Sequence, residues 1–469
     1  MNEKKSGKGN TYKIGLTASG SKPQNMKFCS SQQIMDDYVM IEMGEGEKVV
    51  YEVTDVDVYN SRMDDMELVR YILPGEDYTK YNIYRANARP LGLIKNDGLH
   101  SIKKWFVAPP GKEVKAVNSC EIAMAYGVEQ CEGKEKIGNI IRHKNTDVWL
   151  DIPQLLTTHM AVVGRSGQGK SNLAKILLKK LPMKYMVFTK VNEYINISDA
   201  KKVDPDYITI DQNISLFKRI FDLNNTEVQY LKEYLKKAEC SGKVYTSELA
   251  ENIRNSFLRD SNKGFQQMEL FGNSTQDKSM QIPKFAESLC KKIESISMRI
   301  SFGKHSEEDK SCIINMQNLS GKEEEIVLYS YLMPLLENRR KYYKNAEQAL
   351  PLDERIVIFI EEAHNYIPST KTAFCKDVIQ QIAREGRKLG IHLVLLSQRP
   401  RFMDPTALSQ CGSIVSFNLT NPEDIDYLMQ NANFYGDNYK NTISELKIGE
   451  CTIISDYLRR AISCKVEFY

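Results

Sequence analysis

Two short stretches of this 469-residue chain hold residue types that could do chemistry. The first is "GRSGQGKS", Gly164 to Ser171, a G-x-x-x-x-G-K-S spacing that runs straight into the helical pattern "NLAKILLKKL". Glycines let successive backbone N–H groups turn inward on an anion, and a helix start adds partial positive charge. The lysine reaches phosphate oxygens and the serine hydroxyl suits a hard cation. The expected contacts of a bound nucleotide are Gly164, Gly167, Gln168, Gly169, Lys170, Ser171 and Asn172, with Lys170 on the β and γ oxygens and Ser171 on Mg2+. The second stretch is "RIVIFIEEAHNYIP", Arg355 to Pro368, an apolar run ending on two adjacent carboxylates. Charges there are costly unless used. Beside a phosphate loop they have a use: Glu361 on the metal and Glu362 on the attacking water, the chemistry of Mg2+-dependent ATP hydrolysis.

The next apolar run, "IHLVLLSQRP", ends on Ser397 and Gln398, where a γ-phosphate would be sensed; Gln398 is the expected sensor. Before it, "QQIAREGRKLG" reads as a helix with a basic end carrying Arg384, Arg387 and Lys388. Two readings stand: cations favouring a helix C-terminus, or an arginine reaching a neighbouring subunit's nucleotide. His364 is expected to make a structural hydrogen bond.

These residues need a parallel sheet to bring them together. "MAVVG", "YMVFTK", "CIINM", "RIVIFI" and "IHLVLLSQ" are short apolar runs of the kind buried on both faces, alternating with helical segments. The fold expected is α/β, a P-loop NTPase core over 151–469 with a helical insertion at about 215–311, preceded by a small N-terminal β-barrel over 1–150. The barrel strands are "YKIGLT", "MKFCS", "DYVMIEM", "KVVYEVTDVDVY", "EVKAV" and "DVWLDI". Length implies more than one core, and 42% hydrophobic with 27% charged residues excludes general disorder. A net charge of +3 neither supports nor opposes a nucleic-acid partner. With no signal peptide and no apolar span, a cytoplasmic chain is expected. The ten cysteines are scattered without a CxxC pair, which indicates free thiols rather than zinc or disulfides.

The order "GRSGQGKS", "NEY" at Asn192 to Tyr194, "FIEEAHNYIP", "AREGRKLGIHLVLLSQRP" and "LTNPED" resembles the HerA branch of the HerA/FtsK ATPases, prokaryotic ring-shaped DNA translocases. The N-terminal "YKIGLTA", "DYVMIE" and "LDIPQLLTTHMAVVG" are similar to that family's β-barrel, so the resemblance spans nearly the whole chain. It implies a homo-hexamer that hydrolyses ATP and drives double-stranded DNA through its pore, with a separate nuclease or effector docked on the N-terminal domains, in end processing or antiviral defence. It also implies a trans-acting arginine within "AREGRK", with Arg387 preferred and Arg384 as the alternative.

Three features depart from the family pattern. Arg165 follows the first loop glycine where a small residue is usual, Glu361 stands where Asp is common, and "FTKVNEY" lacks the aspartate that commonly precedes "EY". Lys371 and Arg401 are candidate DNA contacts on loops. "EEE" at Glu323 to Glu325 and "EED" at Glu307 to Asp309 read as solvated helix faces, and "KKWF" and "RRKYYK" as basic aromatic runs. The competing functions are a nucleotide-gated assembly scaffold and a protein-remodelling ATPase. Stimulation of turnover by duplex DNA separates them from a translocase.

Overall fold

A computed structural model describes residues 12–44, 46–60, 78–96, 98–102, 105–194, 197, 200–203, 205, 208–210, 214–237, 242–269, 284–302, 311–345, 354–431, 439–458 and 460–469. The N-terminal strands are β1 (Lys13–Thr17), β2 (Met26–Ser30), β3 (Tyr38–Gly44), β4 (Glu47–Asn60), β5 (Asn82–Lys95), β6 (Gly98–His100) and β7 (Glu113–Ala116). They pair in the order β2-β1-β7-β3-β4-β5, and β2 also pairs with β5. That last pairing closes a six-strand antiparallel barrel, so no edge remains among these six; β6 hangs from β5 as a hairpin. Alternation fills the barrel with Phe28, Val39, Ile41, Val49, Tyr51 and Val114.

The second sheet has eleven strands, added in chain order: β8 (Glu135–Ile140), β9 (Asp147–Leu150), β10 (Met160–Val163), β11 (Lys184–Thr189), β12 (Lys201–Val203), β16 (Cys312–Asn315), β17 (Ile356–Ile360), β18 (Ile391–Ser397), β19 (Ser413–Phe417), β20 (Glu450–Ser455) and β21 (Ile462–Val466). From β12 through β16, β11, β17, β18 and β10 to β19 the pairing is parallel. Alternate side chains of β17 serve opposite faces: Ile356, Ile358 and Ile360 join one apolar cluster, Val357 and Phe359 the other. All five are buried. At about 1.5–3 kcal/mol each, they anchor the strand more firmly than the two carboxylates after it can disturb it.

The remaining strands continue antiparallel as β20-β21-β8-β9. "DVWL", expected in the barrel, is therefore an edge strand of the large sheet. The reason is physical: β8 and β9 cover the edge that β21 would otherwise present to water. The barrel is also continuous with the larger core, since Tyr38, Met40 and Val50 lie in the same apolar cluster as Leu150, Val162 and Val415.

The insertion holds helices Asn225–Lys237, Thr246–Glu269 and Lys284–Glu294, and its strands β14 (Gly242–Tyr245) and β15 (Arg299–Phe302) form a small sheet with β13 (Ile208–Ile210), which precedes it. Strands this short carry too few positions to show alternation beside long helical runs. "FGNSTQDKSM" and "EED" lie outside the described residues. Among the described residues no helix is long and apolar enough to cross a membrane, and every described cysteine is free.

Candidate active site

The phosphate loop follows β10, whose four residues are fully buried. Gly164 has φ +151°, and a Cβ there would lie 2.5 Å from Phe417 Cβ on the adjoining strand. Gly169 (φ +118°) opens the helix Lys170–Lys180, and the carbonyl of Gln168 accepts from Gly449 N at 2.9 Å. A side chain at either glycine would force the loop off the sheet. Lys170 Nζ folds over the loop, donating to Gly164 O (2.7 Å) and Arg165 O (2.9 Å). Burial lowers its pKa, opposed by the nearby charges of Glu362, Glu361 and Glu193.

Glu361 leaves the end of β17 beside the loop. Its Oε1 lies 3.4 Å from Ser171 Oγ and accepts from Tyr194 Oη at 2.6 Å, and its Oε2 accepts from Thr189 Oγ1 at 2.9 Å. Burial raises its pKa against the pull of those donors. One hydroxyl and one carboxylate, both hard oxygens, suit a magnesium ion that takes its other ligands from phosphate and water. Among the described residues no group of three or more His, Cys, Asp or Glu side chains could hold a metal by itself. Sequence reasoning missed Thr189 and Tyr194. The available signal was that Thr189 ends the strand paired with β17 and Tyr194 closes "NEY".

Glu362 adopts the left-handed backbone conformation (φ 47°, ψ 44°), strained for a side chain of this size. The Gln398 N–H donates to its carboxylate, while its buried Oε2 makes no hydrogen bond. Burial raises its pKa, opposed first by the charge of Lys170. An oxygen with open acceptor capacity near the loop lysine is placed to take a proton from water. His364 Nδ1 lies 3.1 Å from Ser397 Oγ and 3.4 Å from Glu362 Oε2. Burial, then the charges of Arg399 and Lys170, pull its pKa down to about 4, so the ring is neutral at pH 7.

Gln398 sits just past β18 at the carboxyl edge with these groups. Arg384 and Arg387 do not. Both precede β18, at the opposite end of a seven-residue strand, roughly 20 Å away at strand rise. The charge of Arg387 bears instead on His159 and His392. Both arginines are exposed, and neither makes an ion pair or hydrogen bond among the described residues. Asn172, expected at the nucleotide, has its amide committed elsewhere: it donates to Glu467 O (2.7 Å) and accepts from Tyr469 N (2.9 Å).

The chain is similar to known proteins along most of its length. The family model described as the central domain of helicase HerA matches residues 135–334, opening at the first residue of β8. A "DNA double-strand break repair helicase HerA" from Sulfurisphaera tokodaii is 25% identical over 97% of this chain and 92% of its own length. The protein of the same description from Sulfolobus acidocaldarius is 25% identical over 93% and 89%. The chain is similar to HerA helicases over nearly its whole length. VirB4 of Thermoanaerobacter pseudethanolicus is a solved structure with similarity to 72% of this chain and 98% of its own, at 14% identity and a TM-score of 0.48.

With its phosphate loop and paired carboxylates, this HerA-like chain is an ATP hydrolase. Its departures from the family pattern find places. Arg165 is an exposed loop residue whose N–H donates to Asn418 O. Glu193 pairs with Lys175 at 3.7 Å beside the site. Other expectations need correcting. Glu324 is buried, accepting from Tyr366 Oη at 2.9 Å and pairing with Lys190 at 2.7 Å. Glu325 accepts from Phe374 N. That acidic run ties a helix to the β17 loop and is no solvated face. Arg401 pairs with Glu423 and lies over the Phe402 ring, while Lys371 is exposed.

Proposed function

We propose that the chain is the subunit of a homo-hexameric, Mg2+-dependent motor that moves double-stranded DNA and works with a separate nuclease or other effector docked on its barrel. The observation that carries the ring is the placement of Arg384 and Arg387 across the sheet from the site of their own chain. A guanidinium is wanted beside the γ-phosphate in this chemistry, and Arg384 or Arg387 would reach one only in a neighbouring subunit. The relatives described as DNA double-strand break repair helicases favour DNA as the cargo; end processing or antiviral defence is the setting we propose for it.

In this reading Ser171 and Glu361 would hold Mg2+, which would supply charge neutralisation to the phosphates. Lys170 exchanges its loop carbonyls for the β and γ oxygens. Glu362 takes the proton from water, held by the N–H of Gln398, whose side chain senses the γ-phosphate. The arginine of the next subunit, Arg387 in the first instance, meets the charge that develops on the transferred phosphoryl group. The test is ATPase activity with and without duplex DNA, together with displacement of a third strand from a DNA triplex. Stimulation and displacement that both vanish in Glu362→Gln support a translocase. Turnover indifferent to DNA would turn the reading into a nucleotide-gated scaffold.

A further inference from the structure

After β21 the chain runs along the rim of the phosphate loop. Val466 N donates to Gly449 O (2.8 Å) and Glu467 N to Ile137 O (2.9 Å). Asn172, in the first turn of the loop's helix, then clasps both sides of the next residue through Glu467 O and Tyr469 N. Between these two bonds sits Phe468, its backbone fixed at both flanks and its residue surface 96% exposed. It lines the same cavity of about 380 Å³ as Lys170, Ser171, Glu361 and Glu362. A phenyl ring held in water on a fastened backbone, at the mouth of a nucleotide cavity, is an apolar face waiting for a flat partner.

The sheet order says which end of the nucleotide arrives there. β18 and β17, with the two carboxylates, lie on one side of β10, and β19, β20 and β21 lie on the other. The bond to be cleaved belongs beside Glu361 and Glu362, so the nucleoside extends toward β21, where Phe468 is carried. We infer that Phe468 is the platform on which the purine base of the bound nucleotide stacks, and that Asn172 positions this platform rather than contacting the nucleotide through its amide. This inference rests on the phosphate-loop reading. Stacking reads no base edge, so the site should hold ATP and GTP with similar affinity.

The experiment compares binding of ATP and of inorganic tripolyphosphate to the full chain. Phe468→Ala should weaken ATP about tenfold, within the range of aromatic–base stacking, and leave tripolyphosphate within about twofold of wild type, which also shows that the variant is folded. Phe468→Trp should keep ATP affinity, with indole fluorescence quenched by ATP and not by tripolyphosphate. Equal ATP affinity in wild type and Phe468→Ala would overturn the platform, as would an equal loss of both ligands. Lys170→Ala separates the two readings: if it bound both ligands like wild type, the phosphate-loop assignment would fall and the platform with it.

Discussion

The hydroxyl of Tyr194 donates a 2.6 Å hydrogen bond to Glu361 Oε1 across 167 residues of sequence. With Thr189 on Oε2 it keeps a buried carboxylate oriented toward Ser171, stabilising an ionised form that burial disfavours. A charge-assisted hydrogen bond of this kind is worth about 1.5–3 kcal/mol, enough to decide whether Glu361 is ionised for the metal-side role proposed for it.

Tyr194→Phe should therefore move the acid limb of the ATPase pH profile to higher pH, because Glu361 loses a donor that favours its charged form. Stability should respond in the opposite sense in Glu361→Gln. A carboxyl whose folded pKa lies above its unfolded value costs stability when ionised, and that cost disappears as pH falls through the raised value. Glu361→Gln should melt above wild type near pH 8, with the difference shrinking as pH is lowered and turnover abolished throughout. Thermal melts across pH check this, and a variant that melts below wild type at pH 8 would refute it.

The phosphate loop was legible because its chemistry is contiguous, from Gly164 to Ser171, and the carboxylate pair because five apolar residues led into it. Thr189 and Tyr194 were not, since the parallel register of β11 with β17 brings them to Glu361, and register is a property of two distant segments. The same reason hid β8 and β9, which join the large sheet through β21, more than 300 residues later in sequence. Glu324 shows the converse error: a run of three acids reads as solvated, yet the middle one is fixed by Tyr366 and Lys190 from other elements.

Glu362 combines strain with function. Glu362→Gln keeps the shape and loses the base, so nucleotide should still bind while turnover falls about 10²-fold or more. Glu362→Gly should be equally inactive yet melt no lower than wild type, because glycine adopts φ 47° without strain worth about 1–3 kcal/mol. Lys170→Ala should instead lose nucleotide binding. Parallel binding and turnover assays distinguish the three.

Arg387→Ala should bind nucleotide and fail to turn it over. Rings mixed from Arg387→Ala and Lys170→Ala subunits should regain activity wherever an intact loop faces an intact Arg387. No recovery at any ratio, in rings shown to be mixed, would return Arg387 to the role of a helix-end cation, and the same experiment on Arg384 would then decide the alternative.

The purified chain should hydrolyse ATP without cutting DNA, since among the described residues no cluster of three metal-ligating side chains exists to serve a nuclease. The partner surface proposed for the barrel needs a test other than simple truncation. Removing residues 1–150 would strip β8 and β9 from β21 and take Tyr38, Met40 and Val50 out of the shared apolar cluster, at a cost of about 1.5–3 kcal/mol for each large side chain uncovered. Aggregation would follow from lost packing whatever the partner does. The far half of β4 offers a gentler test: Val56 and Val58 are 40% and 58% exposed on one face of the strand, outside the barrel core. Val56→Glu with Val58→Glu should leave folding stability within about 0.5 kcal/mol of wild type, as surface changes generally do, leave ATPase activity unchanged, and release the effector on a sizing column. Retention of the effector by this variant would move its docking surface off the β4 arm. Magnesium-dependent DNA cleavage by the isolated chain, persisting in Glu362→Gln, would remove the need for a separate nuclease altogether.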